Sequence, residues 1–382
     1  MNKRVVIVDF NHQAHTYFHS KFRLSARVNV DGEFIEKDTT VQSGCLKNIF
    51  RWTLGGSYPC AVCFDRPVIA RKAFFQSNFP DMKVGTEGEY KGGRSKMPQE
   101  MFTAIQDCEN IMRQAGVPVF AENGYEADDL IYACVKRAKE KYPGTPIDVI
   151  TNDADLLPLV DDTVSLFLRS KKGTYAESKS LEKAKYVQVT PRNYQEVVED
   201  LSDYRGFLIP YNTILLYKLL RGDTSDNYKR KDISRMFPPT KYNAMIERMM
   251  SEYVNFEEVF RYGDPVTKLY YKDSGEEFVG TMKEALKSPD RNRLSIKICN
   301  SEELDAILEL LREFTDMDED MLSHIEKMYW GINLNQPYPN QDVHLMRRAY
   351  EFNKKGRGDI GQYNEINFRK AVSSLKINLP QL

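Results

Sequence analysis

The sequence predicts an α/β fold with a mostly parallel central sheet flanked by helices. Short, continuous apolar runs alternate with longer helical stretches over the first half of the chain. Such alternation is typical of parallel sheets, because each parallel connection needs a crossover element. After residue 194 the strand signals become sparse, and we expect a mainly helical region there.

The predicted strands are the apolar runs. Residues 5–8 read Val-Val-Ile-Val, as expected for a strand that is buried on both faces of a parallel sheet. Four further runs of this kind follow at residues 61–64, 117–120, 147–151 and 164–168.

The predicted helices lie between and after these runs. In the first half they cover residues 42–53, 98–114 and 127–141, and Pro98 and Gly116 mark the start and stop of the second. In the second half they cover residues 211–220, 242–253, 302–314 and 319–328. Residues 268–279 predict a short hairpin that turns at Asp273-Ser274-Gly275.

Composition excludes several classes of protein. The 54 basic and 55 acidic residues give a net charge of −1, so any nucleic-acid binding must use local patches. No apolar run reaches 18 residues, and Asp9 interrupts the amino-terminal run too early for a signal peptide, so we expect a cytoplasmic protein without membrane contact. Six cysteines are too few for a disulfide framework, and we expect Cys60 and Cys63 to be core residues rather than a redox or metal pair.

Acidic residues follow the predicted strands at the points where these end. Asp9 ends the first strand, Asp65 follows the second, and Asp153 and Asp155 follow the run at residues 147–151. Since the carboxyl ends of parallel strands meet at one edge of a sheet, many of these side chains should converge. The other acidic candidates are Glu126, Asp128, Asp129, Asp223 and Asp226.

Convergent carboxylates repel one another unless positive charge compensates them. Hard divalent cations are the natural compensation, since Mg²⁺ and Mn²⁺ prefer oxygen ligands. The acids are numerous enough for two Mg²⁺ ions about 3.5–4 Å apart, one activating a water and one stabilising the leaving oxygen of a phosphodiester, with Mn²⁺ as a substitute. The alternative is structural, with Glu126, Asp128 and Asp129 favouring a helix amino terminus and Asp223 following a turn at Gly222.

Three short motifs resemble those of the 5′-nuclease (flap endonuclease) family. They are Gly-Tyr-Glu-Ala-Asp-Asp at 124–129, Thr-Asn-Asp-Ala-Asp-Leu at 151–156 and Gly-Asp-Thr-Ser-Asp-Asn at 222–227. Asp9 and Asp65 occupy the places of the family's first two acids, and order and spacing agree over about residues 1–230. The family includes phage 5′–3′ exonucleases and the amino-terminal nuclease domain of bacterial DNA polymerase I.

The resemblance implies a PIN-like catalytic domain at residues 1–235, with a helical arch or loop over the site at about 67–97, and a C-terminal region of unknown role at 236–382. It implies that Asp9, Asp65, Glu126 and Asp128 hold the first metal with Asp129 close by. Asp153, Asp155, Asp223 and Asp226 would hold or support the second metal.

The long Gly- and Lys-rich connection at residues 74–96 contains a second resemblance, to the family's arch motif. Lys91 and Arg94 would engage the scissile phosphate as catalytic residues, and Tyr90 would stack on a base. Lys229 and Arg230 are weaker candidates for contacts to the nucleic-acid backbone. The alternative for all of them is a solvated basic surface.

The implied enzyme is a two-metal 5′–3′ exonuclease or flap endonuclease that acts on DNA, and on RNA primers paired with DNA, in replication or repair in a bacterial or phage-infected cell. The C-terminal region would offer contacts to replication proteins. The alternative function is a catalytically silent DNA-binding scaffold of a replication complex. Two departures favour that alternative: Phe10 replaces a small residue, and the family's glycine-rich hairpin is missing after Asn227.

Overall fold

The computed structural model describes most of the chain. The described residues are 3–20, 23–30, 33–66, 69–79, 96–169, 186–201, 204–222, 230–252, 256, 260, 266–271, 273–279, 284, 288–290, 293–300, 302–332 and 359–381.

The described strands are, in chain order, β1 Val5–Asp9, β2 Ser25–Val30, β3 Glu33–Asp38, β4 Cys60–Phe64, β5 Val119–Ala121, β6 Ile147–Ile150, β7 Val164–Arg169, β8 Tyr186–Val189, β9 Val266–Tyr271, β10 Glu277–Phe278 and β11 Leu294–Asn300. The described α-helices are α1 Phe10–Phe18, α2 Thr40–Trp52, α3 Ile69–Asn78, α4 Gln99–Gln114, α5 Ala127–Lys141, α6 Tyr194–Asp200, α7 Ile214–Arg221, α8 Lys231–Met236, α9 Pro239–Glu252, α10 Glu302–Phe314, α11 Glu319–Ile332 and α12 Glu365–Ser373.

The chain forms two compact units. The first comprises Met1–Pro67, Ser95–Thr190 and Tyr350–Leu382, and the second comprises Val68–Arg94 and Pro191–Ala349. These two units are defined by the packing of the chain. The predicted boundary at residue 235 instead separates a catalytic domain from a region of unknown role, so it stays a prediction.

The first unit is built on a six-stranded sheet in the order β5-β4-β1-β6-β7-β8. All neighbours are parallel except β7 and β8, which are antiparallel. Strand β1 lies in the middle, with Val8 opposite Val62 of β4 and opposite Ile150 of β6. Strands β1, β4 and β6 are buried along their whole length, which is why their sequences are nearly continuous apolar runs. Their carboxyl ends therefore lie side by side.

Helices α2 and α4 and the C-terminal helix α12 pack together on the core of the first unit. Phe368 of α12 is fully buried and stacks on Phe50 of α2 with ring centroids 5.6 Å apart. The hydroxyl groups of Tyr363 and Thr53 are hydrogen-bonded at 2.6 Å. A Cβ atom at Gly56 would overlap the backbone of Tyr363, so this close approach requires glycine. The last described stretch is thus part of the same core as the central sheet.

An ion-pair cluster holds the start of this C-terminal stretch to α5. Arg137 and Lys141 donate to the Asp359 carboxylate at 2.8 and 3.0 Å. Burial alone would raise the pKa of Asp359, but the hydrogen bonds from Arg137 and Lys141 outweigh it and lower the pKa to about 2.

The second unit contains helices and a three-stranded sheet in the order β10-β9-β11. An aromatic cluster of Phe207, Tyr217 and Tyr242 forms part of its core, with edge-to-face rings 5.0 to 5.7 Å apart. The Arg221 guanidinium lies over Phe207 and donates to the carbonyl oxygens of Ser234 and Phe237 at the end of α8. A cation at this position compensates unpaired carbonyl groups of the last helical turn.

The predicted α/β class with a mostly parallel sheet is confirmed. All five predicted strands form, with bounds shifted by at most two residues, and β9 and β10 form the predicted hairpin with Gly275 at φ +72°. The hairpin of β2 and β3 was not predicted, although Asp31-Gly32 between its strands is a strong hairpin signal. Of the predicted arch region at 67–97, residues 69–79, which include α3, and residues 96–97 are described, whereas 67–68 and 80–95 lie outside the described residues.

The expectation for the cysteines is also confirmed. Cys45, Cys60, Cys63, Cys108 and Cys134 are free, buried thiols. Burial raises the pKa of the Cys63 thiol, which lies 3.9 Å from the sulfur of Cys134. Within the described ranges, none of the helices combines the length and the apolar character that a membrane span requires.

We predict that Phe368→Ala lowers the free energy of unfolding by about 3–5 kcal/mol, because it empties a fully buried aromatic site. Ile366→Ala on the same helix is the matched control, since Ile366 is 72% exposed and its loss should cost no more than about 0.5 kcal/mol. Urea denaturation of the three proteins measures both values. Equal stability of the two variants would show that α12 does not belong to the core.

Candidate metal centre

Asp9 is the central acidic residue of the candidate site. It ends β1, is fully buried and caps the amino terminus of α1, accepting a hydrogen bond from the His12 backbone at 3.5 Å. Its second carboxylate oxygen accepts a hydrogen bond of 2.8 Å from the hydroxyl of Thr151, which directly follows β6. Asp9 is therefore hydrogen-bonded both to the first turn of α1 and to the residue that follows β6.

Asp153 lies next to Asp9 because β6 lies next to β1. The Asp153 backbone N–H donates to the Thr151 hydroxyl at 3.0 Å, and its carboxylate accepts from the Asp155 backbone at 2.8 Å. The Nε2 atom of His12 is 3.6 Å from Oδ2 of Asp9 and equally 3.6 Å from Oδ2 of Asp153. The predicted convergence of these two acids thus occurs, with a histidine between them.

The charges of Asp9, Asp153 and His12 are strongly coupled. Burial raises the pKa of Asp9 and the charge of Asp153 adds to this, while His12 and the Thr151 hydrogen bond oppose it. The Asp9 carboxylate raises the pKa of His12 to about 10, against the effect of burial and with further support from Asp153 and Asp128. An imidazolium therefore compensates the carboxylates around it at neutral pH.

Asp65 follows β4 and belongs to the same edge of the sheet. One of its carboxylate oxygens accepts a hydrogen bond of 2.8 Å from the backbone of Ala127, the first residue of α5. Its backbone N–H donates to the side chain of Asn11 at 3.3 Å. Asp65 is thus fixed both to the start of α1 and to the start of α5.

The acids at the start of α5 divide into two kinds. Glu126 and Asp129 are buried, and the Asp129 carboxylate accepts a hydrogen bond of 3.0 Å from the Glu126 backbone, as in a capping box. The structural interpretation of these two residues therefore has direct support. Asp128 differs, because its charge helps to raise the pKa of His12.

The donor chemistry of this edge fits a hard divalent cation, since buried carboxylate oxygens need positive charge. The described residues do not form a ready-made site, however. Among them, no group of three or more His, Cys, Asp or Glu side chains is arranged to hold a metal ion.

Comparison with known proteins identifies the domain that carries this edge. Residues 4–186 match the family described as "5'-3' exonuclease, N-terminal resolvase-like domain". The match covers slightly less than half of the chain. The resemblance that the sequence motifs indicated is therefore confirmed.

Relatives that the chain is similar to include the DNA polymerase I of Chloroflexus aurantiacus, which is 31% identical over 36% of this chain and 13% of its own length. The 5'-3' exonuclease of Mycoplasma pneumoniae is 29% identical over 40% of this chain and 46% of its own length. The matches thus span less than half of these relatives. Among solved structures, the T5 D15 protein co-crystallised with metal ions aligns with a TM-score of 0.47 at 13% identity, covering 98% of this chain and 100% of that one.

Several predicted site residues lie outside the described residues: Tyr90, Lys91, Arg94, Asp223, Asp226 and Lys229. Their roles stay predictions. Arg230 is described, and its guanidinium pairs with Asp320 of α11 at 2.7 Å and with Asp232 at 3.0 Å. A role of Arg230 in binding a nucleic-acid backbone also stays a prediction.

Three residues of the site were missed by sequence reasoning: Asn11, His12 and Thr151. The acidic motifs themselves contain no basic residue. His12 lies three residues after Asp9 at the start of a helix. That spacing places both side chains on one side of the first turn, so it could have indicated that the two are in contact.

The His12 imidazolium should make stability depend on pH. The pKa of His12 in the folded protein is about 10, against 6.5 for the free side chain. The contribution of His12 to the free energy of unfolding is therefore fully present below pH 6.5 and is lost as pH rises to about 10. We predict that metal-free wild type, held in EDTA, loses more stability over this range than His12→Gln.

His19→Gln is the matched control, since His19 is exposed at the end of the same helix. Denaturant titrations at several pH values between 6 and 10 make the comparison. The charge assignment of His12 is wrong if wild type and His12→Gln lose stability in parallel.

Proposed function

We propose that this chain is a divalent-metal-dependent nuclease that hydrolyses phosphodiester bonds near the 5′ ends or flaps of DNA, as a 5′–3′ exonuclease and structure-specific endonuclease. The observation that carries the proposal is the meeting of Asp9 and Asp153 at adjacent strand ends, within a domain of the 5′-3′ exonuclease family. The relatives named 5'-3' exonuclease and DNA polymerase I support it.

In this proposal the acids divide between two ions, which are Mg²⁺ with Mn²⁺ as a substitute. Asp9, Asp65, Glu126 and Asp128 would hold the first ion, with Asp129 close by, and Asp153, Asp155, Asp223 and Asp226 would hold or support the second. When bound, the ions supply charge neutralisation and water activation for phosphodiester hydrolysis. The His12 imidazolium compensates the same carboxylates at neutral pH. In this proposal, His12 would move away or lose its proton when the ions bind.

The basic residues would position the substrate. Lys91 and Arg94 would hold the scissile phosphate and Tyr90 would stack on a base, as the arch motif implies. Lys229 and Arg230 would contact the backbone of the duplex. Arg230 would then exchange its partner Asp320 for a phosphate, an exchange between two exposed anionic groups.

The broader role that we propose is processing of 5′ ends in replication or repair, including RNA primers paired with DNA, in the cytoplasm of a bacterium or a phage-infected cell. The region at residues 236–382 would provide contacts to replication proteins. The second candidate function is a DNA-binding scaffold without catalysis. Besides the two departures in sequence, it is favoured by the position of His12 midway between two of the proposed metal ligands.

We predict that the purified chain cleaves a 5′-end-labelled DNA flap in the presence of Mg²⁺ and not in EDTA. Asp153→Asn should lower kcat/KM by about a hundredfold or more, because a metal ligand contributes several kcal/mol to stabilising the transition state. Gel analysis of flap, nicked and recessed-end substrates measures the rates and the position of the cut.

Asp162→Asn is the matched control, because it removes the same charge from an exposed position in the same unit. It should cleave like wild type. Binding of DNA by wild type without any Mg²⁺-dependent product would refute the nuclease and favour the scaffold.

A further inference from the structure

The hydroxyl group of Thr151 joins two of the predicted metal ligands. It donates to Oδ2 of Asp9 at 2.8 Å and accepts from the backbone N–H of Asp153 at 3.0 Å. The Thr151 side chain is fully buried, so water cannot replace either bond without a rearrangement.

Thr151 is itself held on a rigid support. Its backbone N–H donates to the carbonyl of Phe167 at 3.2 Å, which continues the pairing of β6 with β7 by one residue. Threonine is branched at Cβ and has few side-chain rotamers, so the direction of its hydroxyl group follows from the direction of the strand. The sheet therefore determines where this hydroxyl group lies.

The consequence concerns both acids at once. The bond to Asp9 limits rotation of a carboxylate that is fully buried, and the bond from Asp153 fixes the residue that caps the short 3₁₀-helix Ala154–Leu159 after β6. Partners of this kind orient metal ligands in proteins, and their loss typically costs 10- to 100-fold in metal affinity or activity.

The geometry points to Thr151 as a positioning residue that holds Asp9 and Asp153 in the arrangement needed to bind a divalent cation. This inference rests on the proposed function, since it deepens the role of the same site. Thr151 binds neither metal nor substrate in this account and acts through the two acids.

The test compares Thr151→Val, which keeps the shape and removes the hydroxyl, with Thr151→Ser, which keeps the hydroxyl. Mn²⁺ affinity of the full chain is measured by electron paramagnetic resonance without DNA, and kcat and KM are measured on flap DNA over a range of Mg²⁺. We expect Thr151→Val to bind Mn²⁺ about 10- to 100-fold more weakly and to need more Mg²⁺ for half-maximal kcat. The KM for DNA should not change, and Thr151→Ser should recover most of the Mn²⁺ affinity.

Thr53→Val is the matched control for stability. Thr53 is equally buried in the same unit, and its hydroxyl is also hydrogen-bonded, with the Ile49 carbonyl at 2.7 Å and the Tyr363 hydroxyl at 2.6 Å among its partners. Thr53→Val should lower the melting temperature and leave Mn²⁺ affinity as in wild type.

The outcomes separate the two claims. If wild type neither binds Mn²⁺ nor cleaves DNA, the proposed function fails and the inference fails with it. If wild type does both and a folded Thr151→Val matches it in Mn²⁺ affinity, the inference alone is overturned. Equal losses of affinity in Thr151→Val and Thr53→Val would also overturn it, because a general loss of stability would then explain the effect.

Discussion

A carboxylate that is fully buried beside a second carboxylate needs positive charge nearby, and Asp9 beside Asp153 is in this position. The parallel pairing of β1 with β6 imposes the approach, because it places the ends of both strands at one edge of the sheet. His12 compensates these acids at 3.6 Å from each. A divalent cation would provide the same compensation with more charge and with the geometry that phosphodiester chemistry requires.

The neighbouring hydrogen bonds follow from this constraint. The Thr151 hydroxyl, the Asn11 side chain and the Ala127 backbone each fix one acid or the strand end that carries it. These bonds limit the freedom of the side chains, so a bound ion would meet oxygens that already point in a defined direction. The acids at 126 and 129 contribute differently, since their hydrogen bonding stabilises the start of α5.

The sequence predicted the sheet and the strand-end acids because both depend on local patterns. Continuous apolar runs such as Val5-Val6-Ile7-Val8 indicate buried parallel strands, and an acid directly after such a run must lie at the sheet edge. The spacing of His12 from Asp9 is visible in the sequence, but its second partner could not be predicted, because Asp153 is 141 positions away in the chain. The packing of residues 359–381 on α2 and α4 could not be predicted either, because only the folded chain brings Phe368 into contact with Phe50.

The most direct measurement is the anomalous scattering of Mn²⁺ in crystals of the full chain. We expect two peaks about 3.5–4 Å apart at the ends of β1 and β6, with oxygens of Asp9 and Asp153 among their ligands and His12 moved from between them. A structure at saturating Mn²⁺ in which His12 still bridges the two carboxylates and no metal lies beside them would contradict the account.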